Sequence, residues 1–370
     1  MEKREQPNFA ALSQHFQFEG QFLDAQPFGF GHINDTYAAR FQQPDGRIHR
    51  YIIQRINHNV FKKPEELMHN MALVTNHMRA KVIDAGGDPT RETVTLILTK
   101  DGNTFCKSSS GAYWRVHEFI EGARTYLRGE HLAHYYHAAK AFGRFLGMLS
   151  DFPADRLYET IPDFHHTPKR LSSFVQAVEE DHKNRAHSVQ SEIDFVFQRA
   201  DEASVLVDLL ESGDMPQRVI HNDTKIDNVM IDKKSGEGVC VIDLDTVMPG
   251  LVVFDFGDSV RSGANPAVED EQDLSQVFLD LEIYDRLAHG FLEESRDFLS
   301  VTELDHLAFG AKLITYEQSI RFLTDHINGD IYYKISRQNH NLDRCRTQIK
   351  MVRDMEQKFD QMTNIAKRYQ

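Results

Sequence analysis

Val219-Ile220-His221-Asn222-Asp223-Thr224-Lys225-Ile226-Asp227-Asn228-Val229-Met230-Ile231 is followed, after a short polar turn, by Val239-Cys240-Val241-Ile242-Asp243-Leu244-Asp245, and this stretch decides the fold. Two apolar runs flank a polar loop, and the second run delivers an aspartate at its end. Phosphoryl transfer from ATP needs a carboxylate to orient the acceptor hydroxyl and take its proton. It also needs an amide oxygen and a second carboxylate to hold magnesium on the phosphates. Asp223 and Asn228, on one loop, provide the first two, and Asp243, returned by the hairpin, provides the third. Lys225 can set a positive charge on the transferred phosphate. The competing reading is a hairpin whose Asp and Asn residues merely serve turns.

The spacing His-x-Asp-x-Lys-x-x-Asn matches the catalytic loop of protein kinases. The wording His221-Asn-Asp-Thr-Lys225, with Ile242-Asp-Leu-Asp245 in place of Asp-Phe-Gly, resembles instead the aminoglycoside phosphotransferase and choline kinase superfamily. Asp245-Thr-Val-Met-Pro-Gly250 and Phe254-Asp-Phe-Gly-Asp-Ser-Val-Arg-Ser-Gly-Ala264 are similar to the N-acetylhexosamine 1-kinases of that superfamily. The resemblance is sharp over 219–263, fair over 28–57 and 301–333, and architectural elsewhere. It implies an α+β, protein-kinase-like, two-lobed fold. A small antiparallel-sheet nucleotide lobe is expected over 1–121 and a larger, mainly helical catalytic and substrate lobe over 122–370. The composition also changes after Gly122.

Upstream, Gly29-Phe30-Gly31-His32-Ile-Asn34 is a glycine turn between strand-like pieces, a shape that lets backbone N–H groups approach phosphate. Gly-x-Gly also occurs in plain hairpins. By resemblance, Gly29, Phe30 and Gly31 cover the nucleotide and His32 lies near the sugar. Arg50-Tyr-Ile-Ile-Gln54-Arg55-Ile-Asn57 reads as a strand. Where protein kinases place a phosphate-pairing lysine, this chain has Gln54, with Arg55 on the opposite strand face. Both are candidate nucleotide residues. Glu118-Phe119-Ile120 resembles the hinge that meets adenine, and a strand ending at Gly122 fits the same letters.

Further strands are expected over 93–98 and 113–122, and a helix from Pro64 to Met78 opened by its first-turn proline. Apolar periodicity predicts helices near 7–17, 131–150, 170–182, 190–211, 301–327 and 340–367. By resemblance, Asp255 or Asp258 is expected to bind backbone N–H groups of the catalytic loop, an ordinary N-cap being the rival reading for Asp255. Asp245 is expected as a carboxylate on the substrate side or just behind the residues that touch the substrate. By resemblance, Arg321 and Tyr332 contact the sugar; a surface arginine and a packing tyrosine are the bland alternatives. Residues 269–285 hold seven acids and no Lys or Arg, which reads as a solvated face or as a lure for a polycationic acceptor.

The composition narrows the class. A formal charge of −14 argues against a nucleic-acid binder. Three scattered cysteines argue against a disulfide framework or zinc site. No secretory leader is read at the N-terminus and no uninterrupted apolar span elsewhere, so a cytoplasmic protein is expected. The sequence reading is a magnesium- and ATP-dependent kinase of a sugar hydroxyl, acting as a monomer or homodimer. An aminoglycoside or amino-alcohol kinase and a nucleotide-binding pseudoenzyme stay open beside it.

Overall fold

The computed structural model describes residues 7–29 and 33–370. The chain divides into two compact units: residues up to Ala123 together with Val239–Asp245, and Arg124–Gly238 together with Thr246–Gln370. The first unit is therefore discontinuous in sequence.

In the first unit, β1 (Gln21–Pro27), β2 (Asp35–Gln42), β3 (Ile48–Ile56), β4 (Cys106–Lys107) and β5 (Tyr113–Glu118) form one antiparallel sheet in the order β1-β2-β3-β5-β4. Side chains alternate across a strand, so one face of β3 carries Tyr51 and Ile53. These pack with Leu12, Phe16, Phe41, Trp114 and Val116. The other face carries Gln54, and the register puts Thr36, Gln54 and Arg115 in one row across β2, β3 and β5. Helix α1 (Pro64–Asp84) starts at Pro64 as expected and buries Leu67, Met68, Met71, Val74, Met78 and Val82 at helical spacing.

The second unit is mainly helical. Its α2 (Leu132–Met148) and α3 (Thr167–Glu180) precede β6 (Arg218–Ile220), which leads into the polar loop that starts at His221. After the loop come β7 (Val229–Asp232) and a turn closed by Asp232 N–H on Glu237 O at 2.8 Å; β8 (Gly238–Val241) follows, its residues from Val239 onward belonging to the first unit. β9 (Met248–Gly250) pairs antiparallel with β6 and feeds α4 (Val252–Gly263). Then follow α5 (Leu281–Ser295), α6 (Leu307–Asn328), α7 (His340–Gln357) and α8 (Phe359–Lys367). Two helix crossings are close enough to require glycine. A Cβ on Gly290 of α5 would lie 2.1 Å from Tyr136 O of α2, and one on Gly310 of α6 would lie 2.6 Å from Val253 O of α4. The second crossing seats α4, whose buried residues run from Val252 to Val260 and include Asp255 and Asp258.

The α+β, protein-kinase-like fold is thus the one expected. Several elements differ in detail. Residues 93–98 form no strand: they run beside β5 through the isolated bridge Leu96–His117. The helix expected over 7–17 is only Phe9–Leu12, with Phe16 bridging to Thr99. The segment 190–211 splits into Gln190–Phe197 and Val205–Glu211. A short helix Val301–Asp305 precedes α6, broken at His306 (φ −101°, ψ 5°). The last helix breaks at Lys358, whose Nζ is drawn to Leu279 O at 2.8 Å and to Asp354 at 2.7 Å. Among the described residues, no helix is long and apolar enough to cross a membrane.

Candidate active site

β6 ends at Ile220, and the loop that follows is held from below by α4. Asp255 Oδ2 accepts the N–H of His221 at 2.7 Å and its Oδ1 accepts that of Asn222 at 2.8 Å. Asp258 Oδ2 accepts the N–H of Thr224 at 3.0 Å. Thr224 Oγ1 donates to Asp255 O, and Ser259 Oγ donates to Thr224 O. Both acids thus meet the loop, and the N-cap of α4 is Leu251, not Asp255. From the far side, Thr246 Oγ1 donates to His221 O at 2.7 Å and Asn222 Nδ2 to Thr246 O at 2.9 Å. His221 is buried edge-on to the rings of Phe142 and Phe145. Asn222 takes φ +66°, a left-handed conformation that asparagine tolerates better than most side chains.

These braces present three polar side chains. Asp223 is half-buried; its Oδ1 lies 3.0 Å from Lys225 Nζ and its Oδ2 accepts Asn228 Nδ2 at 3.0 Å. Asn228 Nδ2 also donates to Asp223 O at 2.8 Å. The amide therefore spends its N–H groups on Asp223, and its Oδ1 accepts no hydrogen bond among the described residues. Charge is concentrated here. The Asp223 carboxylate is the largest influence raising the pKa of Lys225, with Asp227 and Asp258 adding to it. Burial raises the pKa of Asp227. Burial pushes Asp255 up to about 7 against the pull of its two N–H donors. Burial acts the same way on Asp258, but Arg261 and Lys225 outweigh it and hold its carboxyl below the usual range.

In the same unit, Arg321 of α6 lies over the rings of Phe164 (5.1 Å) and Tyr333 (5.9 Å), and its Nη1 donates to Gln318 Oε1. Gln318 Nε2 in turn donates to the Tyr333 hydroxyl at 3.1 Å. Tyr332 is 64% exposed and its ring meets Tyr333 rather than Arg321. Both tyrosines sit on a turn organised by Asp325, which accepts the N–H groups of Ile331, Tyr332 and Tyr333. Arg170, which no spacing in the sequence singles out, holds Phe164 O with Nη2, while its buried Nε has no partner among the described residues. Burial, then the charge of Arg321, lowers the pKa of Arg170. The buried Glu317 carboxylate, bound by His165 and Thr167, lies near both guanidiniums, so this corner holds two cations and one anion.

The acidic run is not an open anionic surface. Arg337 and His340 take Asp270, Arg261 takes Glu269, and Arg368 takes Asp285, while Asp273 and Asp280 cap helix starts.

In the first unit, Gly29 takes φ +81°, a conformation that suits glycine. Phe30, Gly31 and His32 lie outside the described residues. Gln54 sits between Thr36 Oγ1 and the guanidinium of Arg115. Arg55, expected at the nucleotide, lies instead on the opposite sheet face because β3 alternates. It pairs with Asp35, stands 6.0 Å over Trp114 and lines a cavity of about 800 Å³ on that side. Glu118 pairs with His49, and its N–H donates to Thr95 O. Phe119 is stacked by Arg50 at 3.7 Å. The N–H and carbonyl of Ile120 make no hydrogen bonds among the described residues, so this peptide edge is available to a ligand. Burial pulls His117 down to about 4, which keeps it neutral behind this segment.

Asp243 is exposed and takes φ +59°, rare for a residue other than glycine. Asp245, expected either on the substrate side or behind the residues that touch the substrate, is 2% exposed and bound on both oxygens, by Arg115 Nη1 and by Asn34 Nδ2, which fits the second of these places. Neither partner was singled out by the sequence. The available signal was an arginine inside the otherwise apolar strand Tyr113–Val116, which must be compensated if it is buried.

The sequence pattern of the phosphotransferase enzyme family, APH, matches residues 24–289, well over half of the chain. The chain belongs to this family. Among solved structures, this phosphotransferase is similar to an aminoglycoside phosphotransferase from Alicyclobacillus acidocaldarius, with 13% identity over 99% of both chains and a TM-score of 0.62. It is similar to spectinomycin phosphotransferase APH(9)-Ia bound to ADP and spectinomycin, with 14% identity, 96% and 100% coverage and a TM-score of 0.59. It is also similar to the amicoumacin kinase hAmiN in complex with AMP-PNP, Ca2+ and Ami, with 13% identity, 93% and 96% coverage and a TM-score of 0.56. At such identities the likeness shows the fold alone.

Proposed function

We propose that this phosphotransferase is an ATP- and magnesium-dependent sugar kinase whose acceptor is the anomeric hydroxyl of an N-acetylhexosamine. The observation that carries the phosphoryl-transfer reading is Asp223: a half-buried carboxylate fixed by Asn228 and Lys225 on a loop that α4 holds by its backbone. The acceptor hydroxyl gives its proton to the Asp223 carboxylate as its oxygen bonds to the γ-phosphorus and the bond to the bridging oxygen of ADP breaks. Lys225 stands beside Asp223 to offset the charge carried over. Since transfer passes through a loose transition state, the loop's work is positioning and electrostatics rather than strong basicity.

The donor set fits a hard cation. Asn228 has an uncommitted amide oxygen and Asp243 an exposed carboxylate, and magnesium commonly takes one or two protein oxygens with phosphates and water completing its shell. When bound, magnesium would neutralise charge on the phosphates. Gly29, Gln54, Glu118, Phe119 and Ile120 are proposed to line the nucleotide, His32 and Tyr332 to meet the sugar, and Arg321 to meet it from its aromatic seat.

The two guanidiniums of Arg321 and Arg170, against the single Glu317 carboxylate already held by His165 and Thr167, favour a neutral, carbonyl-bearing acceptor over an amine, and the acidic run, already paired, offers a polycation little. A panel assay with ATP and magnesium tests this. N-acetylglucosamine and N-acetylgalactosamine are expected to be phosphorylated, and choline, homoserine and kanamycin not. Arg321→Ala should raise the KM for the sugar about 10- to 100-fold while leaving that for ATP unchanged, the scale expected when hydrogen bonds from a charged group are lost. Product with an amine and not with a sugar would place the chain among the amine kinases. ADP binding without product anywhere would mark it as a nucleotide-binding pseudoenzyme.

A further inference from the structure

Protein kinases place a lysine on the third strand and pair it with a glutamate on the following helix. Here the third strand carries Gln54, and the buried cation of that row stands one strand over. Arg115 is 1% exposed. Its Nε donates to Gln54 Oε1 at 2.9 Å, and its Nη1 binds Asp245 Oδ1 and touches Met71 Sδ of α1 at 3.5 Å. Asp245 Oδ2 takes Asn34 Nδ2 at 2.6 Å, and Asn34 Oδ1 takes the N–H of Asn57 at 3.0 Å. One hydrogen-bonded chain thus runs Thr36, Gln54, Arg115, Asp245, Asn34, Asn57. It reaches two elements at once: the end of the glycine turn, and the backbone two residues beyond Asp243. Asp243 holds a left-handed conformation that persists only where surroundings enforce it.

We infer that the Arg115–Asp245 pair is the positioning device of the nucleotide side. It holds the Asp243 carboxylate and the Asn34 end of the glycine turn in register for a magnesium–phosphate group, and it replaces the missing third-strand lysine. This rests on the kinase reading above. Arg115 is too deeply buried to take phosphate oxygens itself; it acts through Asp245. The acid has moved as well, from the helix to the chain that carries the metal ligand.

The test is ADP affinity of the full chain by calorimetry, with and without magnesium. Arg115→Lys keeps the charge, but a single ammonium cannot reproduce the planar fork that reaches Gln54 and Asp245 together. It should weaken magnesium–ADP binding about 10- to 100-fold, the usual cost of removing a partner that orients a metal ligand. Metal-free ADP affinity should not change, and with a sugar that serves as acceptor, the KM for ATP should rise while that for the sugar holds. Gln54→Lys, which sets a second cation against Arg115, should also weaken magnesium–ADP binding. Gln54→Lys with Arg115→Gln, which moves the cation back to the third strand, should recover part of the loss. Equal loss with and without magnesium would reduce the pair to a structural role and overturn the inference. If Arg115→Lys does not fold, Gln54→Lys decides: tighter binding would mean that the lysine position was merely vacant. Wild-type protein that binds no magnesium–ADP would overturn the kinase reading itself. Wild-type binding matched by Arg115→Lys would overturn this inference alone.

Discussion

Replacing Asp223 by asparagine is expected to lower kcat by about 10³-fold or more while magnesium–ADP affinity and melting temperature stay close to wild type; removing a positioned base alone costs about 10²- to 10⁴-fold. The substitution keeps volume and can keep the hydrogen bond from Asn228 Nδ2, now to an amide oxygen. The other half of the side chain then presents an NH2 group where Oδ1 faced Lys225 Nζ at 3.0 Å. Two donors meet, and Lys225 loses the charge that most raises its pKa. The variant therefore lacks a proton acceptor and also releases the lysine toward Asp227 and Asp258. Single-turnover measurement at saturating ATP, with melting by circular dichroism as the folding control, separates chemistry from binding and stability. A kcat within tenfold of wild type would remove Asp223 from its role.

Reaction chemistry, rather than packing, made this loop legible in sequence. On the proposed reading, phosphoryl transfer restricts Asp223, Asn228 and Asp243 to particular side-chain types at short separations, so the letters themselves carry information. The brace by Asp255 and Asp258 was legible through the resemblance that Phe254–Ala264 carries; what it satisfies is the need of a polar loop for acceptors of its backbone N–H groups. What escaped notice depends on partners remote in sequence. Arg115 reads as one polar letter in an apolar strand until Asp245, 130 residues later, is brought to it. The run 269–285 looks like bare acid until Arg337 arrives from the turn before α7, His340 from its first residue and Arg368 from just beyond α8. The break at Lys358, whose Nζ also binds Leu279 O, leaves no mark in the helical periodicity. Tyr332 and Tyr333 are adjacent and chemically equal; only the Asp325-organised turn decides that Tyr333 packs toward Arg321 and Tyr332 turns outward.

Asp255→Ala is expected to have the largest effect on stability and to abolish activity with it. The carboxylate is fully buried and serves two backbone N–H groups, those of His221 and Asn222, at 2.7 and 2.8 Å. Alanine leaves both buried and without acceptors, which at about 1–3 kcal/mol for each such group amounts to about 2–6 kcal/mol. Marginal stabilities of about 5–15 kcal/mol make that a large fraction of the whole. The urea midpoint should fall accordingly with the slope preserved, and under folding conditions kcat should fall with it, because the loop that carries Asp223 no longer rests on α4. Asp255→Asn should not rescue, since one of its two terminal atoms would be a donor facing a donor. The pH dependence gives a second check. Burial raises the folded-state pKa of Asp255 to about 7, above its ordinary carboxylate value. The folded protein therefore holds this proton more tightly than the unfolded chain, and the associated stabilisation is fully present below the ordinary carboxylate pKa and is lost as pH rises through about 7. The stability gap between wild type and Asp255→Ala should narrow across that window. A gap that widens with pH would show that the two N–H donors outweigh burial, and that Asp255 braces the loop as a permanent anion.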